Sequence, residues 1–333
     1  MTTAAVMGAG SWGTTFAAVL ADAGTEVTLW GRRPEVVAAI NDGHVNTGYL
    51  PELELPETLR ATADPAEALA GADLVVLAVP SQTLRHNLTA WAPYVPVSAV
   101  QVSLMKGIEV GTGQRMSEVI RDVLGAPADR VAVIAGPNLA QEVAARMPAG
   151  SVVACADPGV AAGLQRACHT RYFRPYTNDD VVGCELGGTV KNIIALAVGM
   201  AIGMGLGDNV RALLVTRGLA ETARLGAALG ADQHTFAGLA GMGDLIATCG
   251  SPLSRNRTFG ENLGRGMSVA EVAAATRQTA EGVKSSDSVL DLARKNDVEM
   301  PITEAVAAVL HGALSPAEAT HALLSRTPKA ERY

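Results

Sequence analysis

The sequence has few aromatic residues, few cysteines and no excess of positive charge. Aromatic side chains make up only 4% of its 333 residues, so small and aliphatic side chains must fill the core, as in closely packed helices and parallel strands. The net charge of −7 argues against a nucleic-acid-binding surface over the whole molecule. Any bound anion must therefore be held by local cationic groups.

The four cysteines form no CxxC pair, and no histidine stands at metal-ligand spacing from them. We interpret them as reduced, buried side chains, which predicts a cytoplasmic protein without a metal site. The four are Cys155, Cys168, Cys184 and Cys249.

Long hydrophobic runs of membrane-spanning length are also missing. The N-terminus lacks a basic stretch and begins a strand-like pattern at once, so we expect no signal peptide. An uncharged run from Asn192 to Gly207 has 16 residues and contains four glycines. Because a membrane span needs about 20 residues, this run predicts a buried central helix and no membrane span.

The first half of the chain alternates short apolar runs with helical patterns. Five runs predict parallel strands that are covered on both faces: "AAVMGAG", "EVTLWG", "ADLVVLAVP", "SAVQVSLMKG" and "RVAVIAGP". "GSVVACA" and "RYFRPYT" predict later strands, as an antiparallel extension. Beyond about residue 180, apolar residues recur at helical spacing. We predict an α/β fold, with an N-terminal Rossmann-like doubly wound sheet at residues 1–180 and a C-terminal all-helical domain at residues 181–333.

The first predicted strand runs into "GAGSWG", which places Gly8, Gly10 and Gly13 in the GxGxxG spacing. A strand before this motif and a helix after it are typical of a dinucleotide site. Gly8 permits the tight turn, Gly10 lets the backbone approach a pyrophosphate, and Gly13 lets helix and strand pack closely. Ser11 and Trp12 lie where they would touch the cofactor. An ordinary tight turn is the alternative.

The second predicted strand ends in "TLWGRRPE". A site selective for NAD usually has Asp or Glu here, whereas this chain has Arg32 and Arg33, and Glu35 already falls within the next helix. Two arginines favour the 2′-phosphate of NADP, and NAD remains open. A solvated basic corner is the alternative.

Two further segments follow predicted strands. Lys106 in "VSLMKGIE" follows a strand end that faces the ligand crevice in open α/β sheets, where a lysine can neutralise phosphate or polarise a carbonyl. A surface-loop lysine is the alternative. In "AGPNLAQE", Gly136 and Pro137 predict a turn, and capping of the next helix by itself explains Asn138.

The stretch "AGMGDLIATCGSPLSRNRTFG" combines glycines with polar side chains. Its first glycines predict a flexible segment before Asp244. Ser254, Arg255 and Asn256 then place a hydroxyl, a guanidinium and an amide together at a predicted helix start, which suits phosphate binding. A polar helix start on the surface is the alternative.

Lys191 stands at the head of the uncharged run. If the helix begins near Glu185, Lys191 lies at its exposed start and shares a face with Gly187 at i, i+4. The glycine pair 187–188 then leaves room on that face for a substrate or a nicotinamide ring. A desolvated lysine near another cation, such as Lys106, has a lowered pKa and suits a general base near neutral pH. A snorkelling side chain, or an ion pair with Glu185 or Asp208, is the alternative.

The order of these motifs resembles bacterial-type NAD(P)-dependent glycerol-3-phosphate dehydrogenases over nearly the whole chain. The matching stretches are "GAGSWGTTFA", "LVVLAVPS", "SLMKGIE", "AGPNLAQEVA", "ELGGTVKNIIALAVGMAIG", "GMGDLIATC", "SRNRTFG" and "AEGV". The resemblance implies hydride transfer between C2 of sn-glycerol 3-phosphate and NADP(H) or NAD(H), giving dihydroxyacetone phosphate. It also implies a homodimer, no metal, and a supply of glycerol 3-phosphate for phospholipid synthesis.

The resemblance further implies a role for each matched residue, with Lys191 as the proton acceptor. The implied substrate contacts are Lys106, Gly136, Asn138, Asp244, Ser254, Arg255 and Asn256. The implied cofactor contacts, with the loop glycines, are Gly8, Gly10, Ser11, Trp12, Gly13, Arg32, Arg33, Lys106, Ala140, Arg255 and Glu281. Two positions depart from the family pattern, because many relatives carry Ser or Thr at position 138, and Thr279 replaces a common apolar residue.

Two other functions stay open. One is a dehydrogenase with a lysine base that acts on a hydroxy acid, since arginine also binds carboxylates. The other is a nucleotide-sensing protein that has lost catalysis.

Overall fold

The computed structural model describes residues 2–275, 280–327 and residue 330. Thr279 therefore lies outside the described residues. The strands are β1 (Thr3–Met7), β2 (Glu26–Trp30), β3 (Val45–Asn46), β4 (Leu50–Glu54), β5 (Arg60–Thr62), β6 (Leu74–Leu77), β7 (Val100–Ser103), β8 (Val131–Ala135), β9 (Ala149–Ala154) and β10 (Phe173–Asn178).

Helices lie between most strands and account for the chain after β10. The helices are α1 (Ser11–Asp22), α2 (Pro34–Gly43), α3 (Pro65–Leu69), α4 (Leu84–Trp91), α5 (Met116–Leu124), α6 (Ala140–Ala144), α7 (Pro158–Cys168), α8 (Val181–Gly203), α9 (Asp208–Ala228), α10 (Gln233–Ala237), α11 (Asp244–Gly250), α12 (Arg255–Gly264), α13 (Val269–Ala275), α14 (Glu281–Lys295), α15 (Pro301–Leu310) and α16 (Pro316–Leu324). The all-helical prediction beyond residue 180 is confirmed for the described residues.

Eight strands form one sheet in the order β10-β9-β8-β7-β6-β1-β2-β5. The strands β5, β2, β1, β6, β7 and β8 run parallel, which confirms the predicted doubly wound sheet. The strand order reverses between β1 and β6, and ligands bind at such a switch point, beyond the carboxyl ends of the strands. β9 pairs antiparallel with β8 and parallel with β10, so the predicted antiparallel extension is also confirmed.

α8 is the central helix of the C-terminal part. Among the described residues it is the one helix long and apolar enough to cross a membrane, yet 89% of its most apolar stretch is buried inside the protein. Its side chains form a core with residues of α9, α11, α12, α14 and α15. The predicted buried central helix is therefore confirmed. All four cysteines are buried and free, as predicted.

α8 and α12 approach closely because glycines of both helices meet at their crossing. A Cβ added at Gly199, Gly203, Gly260 or Gly264 would lie 2.1–2.2 Å from a backbone carbonyl oxygen of the facing helix. Side chains therefore have no space at these four positions. This contact fixes where α12 begins relative to α8, and both helices carry residues of the predicted site.

Replacing Gly260 with alanine should destabilise the protein by about 2 kcal/mol, because the methyl group would overlap the Leu196 carbonyl and push the two helices apart. Thermal unfolding of the variant measures this loss. Gly163→Ala in α7 is the matched control, because among the described residues its Cβ would meet only the end of the Arg166 side chain, at 4.0 Å. A helical glycine with open space should be neutral or slightly stabilised by alanine. Equal melting temperatures for both variants would contradict the close-contact interpretation.

Candidate active site

The glycine loop lies at the carboxyl end of β1, beside the segment that follows β6. Gly8 has a φ of 137°, and a Cβ there would lie 2.5 Å from the Ala78 carbonyl oxygen. A Cβ at Gly13 would lie 2.0 Å from the Gly8 carbonyl oxygen. The predicted tight turn at Gly8 and close packing at Gly13 are therefore present. At Gly10 no atom of the described residues lies within 4 Å of an added Cβ, so the loop backbone is open to a ligand on that side.

The start of α1 adds hydrogen-bond donors at the same edge. Its first backbone hydrogen bond runs from the Thr14 N–H to the Gly10 carbonyl at 2.9 Å, so the preceding N–H groups have no partner within the helix. Such groups, with the positive end of the helix dipole, bind phosphates. Trp12 packs its ring 5.8 Å from that of Phe16, and its buried indole N–H has no hydrogen-bond acceptor in the described structure.

Arg32 and Arg33 follow β2 and are exposed, as a site for a charged ligand group requires. Arg33 precedes α2, lies over the ring of Tyr49 at 5.7 Å, and approaches Glu35 at 3.9 Å. Tyr49 comes from the hairpin of β3 and β4. Motif spacing did not identify it, because only the folded hairpin brings it to Arg33.

Two lysines and one carboxylate meet where the segment after β7 contacts α8 and α11. Asp244, the first residue of α11, is buried and accepts a hydrogen bond from Lys106 Nζ at 2.7 Å through one oxygen. Its other oxygen accepts a hydrogen bond from Lys191 Nζ. Lys191 also donates to Thr248 Oγ1 at 2.7 Å, and Lys106 donates to the Gly136 carbonyl at 3.3 Å. The carboxylate therefore joins the two predicted lysines into one cluster.

Lys191 is buried within α8, with 7% of its surface exposed. The prediction that it lies at an exposed helix start is wrong, because α8 begins at Val181 and Lys191 falls about three turns into it. Snorkelling is excluded by this burial. The alternative ion pairs are also wrong, since Glu185 binds Arg115 and Asp208 binds Arg211.

Burial lowers the pKa of Lys191 to about 7, because desolvation disfavours its charged form. The negative charge of Asp244 opposes this shift, and the nearby Lys106 cation adds to it. A primary amine with this pKa can both accept and donate a proton near neutral pH.

The glycine pair beside Lys191 serves packing and leaves no empty space. A Cβ at Gly187 would lie 2.5 Å from the Ala240 carbonyl oxygen, and one at Gly188 would lie 3.5 Å from the Lys106 side chain. The prediction that these glycines leave room for a substrate is therefore wrong. They let α8 approach a π-helical turn, Leu239–Gly243, and the stem of Lys106. The predicted flexible entrance to Asp244 is this same ordered turn.

Asn138 does not cap the next helix. α6 begins at Ala140 with Leu139 before it, and no side chain caps its N-terminus. The Asn138 amide instead donates to Ser151 Oγ at 3.1 Å, and its carbonyl oxygen is buried without a partner in the described structure. The capping prediction is wrong because the turn places Asn138 one residue too early and directs its amide towards β9. The Ala140 carbonyl accepts a hydrogen bond from Thr15 Oγ1 of α1 at 3.1 Å.

The predicted helix start near Ser254 is confirmed. Ser254 caps α12 and accepts the Arg257 N–H at 3.3 Å, while the Arg255 side chain is exposed. The Asn256 amide is already used inside the protein: it donates to Asn192 Oδ1 and accepts from the Gly282 N–H, each at 2.9 Å. Asn256 therefore ties α12 to α8 and α14.

Glu281 begins α14 and contacts the segment that follows β6. Ser81, which follows β6, donates its hydroxyl to Glu281 Oε2 at 3.0 Å. Burial raises the pKa of Glu281, and the Ser81 hydrogen bond and the Arg255 charge oppose that shift. A Cβ at Gly107, next to Lys106, would lie 2.5 Å from Ser81 Oγ. The structure therefore brings the predicted positions 106, 255 and 281 to one region.

Sequence reasoning missed several polar residues that contact the predicted site residues, four of which are notable. Thr248 stands one helical turn after Asp244, a spacing that could have found it, whereas nothing local distinguishes the others. They are Tyr49, Ser81, Asn192 and Thr248.

A Rossmann-type sheet with an open glycine loop, together with a buried lysine that a carboxylate links to the sheet edge, defines a dinucleotide-dependent oxidoreductase. The protein-family model for the N-terminal part of NAD-dependent glycerol-3-phosphate dehydrogenases matches residues 3–161 of the sequence. The family model for their C-terminal part matches residues 180–321. The chain belongs to the NAD-dependent glycerol-3-phosphate dehydrogenase family.

Named relatives are similar along their whole length. A glycerol-3-phosphate dehydrogenase [NAD(P)+] of Streptomyces griseus is 66% identical, with 99% of this chain and 98% of the relative covered. The glycerol-3-phosphate dehydrogenase [NAD(P)+] of Thermobifida fusca is 65% identical, with 100% of this chain and 99% of the relative covered. The crystal structure of the Coxiella burnetii glycerol-3-phosphate dehydrogenase superposes with a TM-score of 0.92 at 41% identity, covering 98% of this chain and 99% of that one.

Proposed function

We propose that this chain interconverts sn-glycerol 3-phosphate and dihydroxyacetone phosphate with NADP(H) or NAD(H), and that Lys191 transfers the proton at the C2 oxygen. The observation that carries this proposal is the buried Lys191–Asp244–Lys106 cluster, because Lys106 follows β7 at the same edge of the sheet at which the glycine loop follows β1. Family membership supplies the substrate and the cofactor.

The residues present fit a dinucleotide. The open side of Gly10 and the free N–H groups at the start of α1 would hold its pyrophosphate, with Ser11 and Trp12 beside them. Arg32 and Arg33 would hold the ribose end, and Lys106, Ala140, Arg255 and Glu281 are the further contacts that we propose. When bound, the nicotinamide supplies the hydride acceptor or donor for C2.

Lys191 supplies the proton chemistry in this proposal. In oxidation its neutral amine takes the proton of the C2 hydroxyl, and in reduction its ammonium form gives a proton to the carbonyl oxygen. Asp244 and Thr248 hold the Nζ atom in place, so that no reorganisation is needed when charge develops on the substrate oxygen. Lys106 adds a second positive charge at 2.7 Å from Asp244.

Phosphate recognition is proposed for the start of α12. The exposed guanidinium of Arg255, the Ser254 hydroxyl and the free N–H groups of this ten-residue helix provide donors for a phosphate. Because the Asn256 side chain is committed to α8 and α14, we propose that it acts by holding this segment in register. Gly136 and Asn138 complete the proposed substrate contacts.

Activity should depend on pH in opposite senses for the two directions. Because the pKa of Lys191 is about 7, kcat/KM for glycerol 3-phosphate oxidation should rise with pH and level off above that value. The corresponding value for dihydroxyacetone phosphate reduction should fall as the pH rises through the same range, since the ammonium form is lost. Initial rates over pH 6 to 10 check this. An oxidation limb centred near the ordinary lysine pKa of about 10.4 would contradict the assignment.

We also propose a preference for NADP(H). Arg33→Ala should lower kcat/KM for NADPH about 10-fold or more and change that for NADH by less than about 3-fold, because only NADPH carries the 2′-phosphate. Steady-state rates with each cofactor measure the difference. Arg174→Ala is the matched control, because this arginine also lies over a tyrosine, Tyr176, at 5.4 Å, but on edge strand β10. Equal losses with both cofactors would contradict the preference.

One assay separates the proposed reaction from its rivals. Purified protein is mixed with NADPH or NADH and dihydroxyacetone phosphate or a 2-keto acid, and the reduced-nicotinamide absorbance is followed. We expect oxidation with the phosphate substrate. Turnover of the keto acid alone would indicate a hydroxy-acid dehydrogenase, and dinucleotide binding without oxidation would indicate a sensor.

Two wider proposals rest on family membership. The reducing direction would supply glycerol 3-phosphate for phospholipid synthesis, and the protein would work as a homodimer. The four buried free cysteines suit a third proposal, a location in the reducing cytoplasm.

We further propose that the domain boundary falls between residues 180 and 181. The end of β10 at Asn178 and the start of α8 at Val181 support it.

A further inference from the structure

We infer that Asn46 is a positioning residue for the dinucleotide, which holds the glycine loop in its binding conformation. Asn46 ends β3, has no exposed surface, and lies outside every motif that the sequence singles out. The inference rests on the proposed dinucleotide-binding role of residues 8–13.

Both amide hydrogens of Asn46 are used at the loop. Asn46 Nδ2 donates to the Ala9 carbonyl oxygen at 3.1 Å and to Thr14 Oγ1 at 2.8 Å. One bond therefore holds the loop and the other holds the first turns of α1. The opposite amide orientation would set an acceptor against the Ala9 carbonyl, so these partners fix the direction of the side chain.

The bond to Ala9 controls a donor that would face the ligand. The Ala9 carbonyl and the Gly10 N–H belong to one planar trans peptide and point in opposite directions. Holding the carbonyl towards the hairpin therefore holds the Gly10 N–H away from it. The open space around Gly10 makes this peptide accessible to a diphosphate group. Without Asn46 the peptide could rotate, and binding would have to include the cost of fixing it.

The same hairpin reaches the ribose end of the site. The Tyr49 N–H donates to the Asn46 carbonyl at 3.1 Å, and the Tyr49 ring lies under Arg33. The buried Leu50 anchors the hairpin. NADPH and NADH share the pyrophosphate. Loss of the two Asn46 hydrogen bonds should therefore lower the affinity for both dinucleotides, whereas loss of Arg33 should lower the affinity for NADPH alone.

Direct binding of NADPH and of NADH to Asn46→Ala, measured by isothermal titration calorimetry, tests the inference. We expect both affinities to fall about 5- to 20-fold, as for the loss of one or two hydrogen bonds. Asn41→Ala is the matched control, because the Asn41 amide also bonds to a backbone, that of Ala61 at 2.9 and 2.8 Å, but it joins α2 to β5. We expect its affinities to stay within about 2-fold of the unmodified protein.

Unchanged affinity in Asn46→Ala would overturn the inference, as would a loss confined to NADPH. An equal loss of affinity in Asn41→Ala, with a melting temperature similar to that of Asn46→Ala, would also overturn the inference. General destabilisation of the protein would then explain the weaker binding. If Asn46→Ala does not fold, Asn46→Ser replaces it, and unchanged affinity there has the same meaning. Binding needs no turnover, so a chain that binds dinucleotide but does not reduce dihydroxyacetone phosphate would refute the proposed reaction and leave this inference standing.

Discussion

Replacing Lys191 with alanine should lower kcat for dihydroxyacetone phosphate reduction about 1,000-fold or more. The variant loses both the proton donor and the positive charge that stabilises the developing alkoxide. Dinucleotide affinity should stay within about 3-fold, because the glycine loop and its helix are untouched. Single-turnover measurements with NADPH and separate binding measurements distinguish the two effects.

Two further variants make this prediction specific. Lys191→Arg should also be inactive in oxidation, because a guanidinium stays protonated at working pH and cannot accept the proton. Lys295→Ala, at the exposed end of α14, should keep full activity. Partial recovery of Lys191→Ala by added methylamine would show that a missing amine is the cause. A Lys191→Ala variant with more than about a tenth of the original kcat would refute the proton-transfer role.

Replacing Asp244 with asparagine should lower kcat for reduction at pH 7 about 100-fold or more. Asp244 is the carboxylate between the two lysines, and its charge raises the pKa of Lys191 against the effects of burial and Lys106. Without that charge the pKa of Lys191 should fall further. The proton donor would then be mostly absent at neutral pH, and Lys191 would lose an anchor.

The pH profile separates this electrostatic effect from simple unfolding. In Asp244→Asn the limb of the oxidation profile should move to lower pH, although the maximum rate is reduced. Glu185→Gln is the matched control, because Glu185 is another buried carboxylate, paired with Arg115 at 2.7 Å, on the same helix as Lys191. It should lower the melting temperature and leave the limb unchanged. A limb at the same pH in Asp244→Asn would contradict the proposed control of Lys191 by Asp244.

Several features follow from local sequence because their physical causes are local. The glycines at positions 8 and 13 and the apolar runs around them predict a tight turn between strand and helix, and the structure has it. The uncharged run after Lys191 predicts a buried helix, because a surface helix typically carries charged and polar side chains on its outer face. Ser254 predicts a helix start, since its hydroxyl can cap the N-terminus.

Other features depend on which distant segments meet. Asp244 lies 53 residues from Lys191 and 138 from Lys106, so no spacing rule predicts that one carboxylate joins both. The glycine at 187 suggests space for a ligand, but the Ala240 backbone occupies that space. Asn138 suggests a cap by residue type, but the fold turns its amide towards Ser151.

The sequence by itself determined the class of fold, the position of the glycine loop and which lysines to examine, because periodicity, turn chemistry and motif order act over neighbouring residues. Only the tertiary structure decided that Lys191 is buried, that Asp244 holds it, and that Asn46 supports the loop from a separate hairpin. Desolvation and hydrogen-bond partners depend on everything packed around a side chain, and that environment comes from the whole chain.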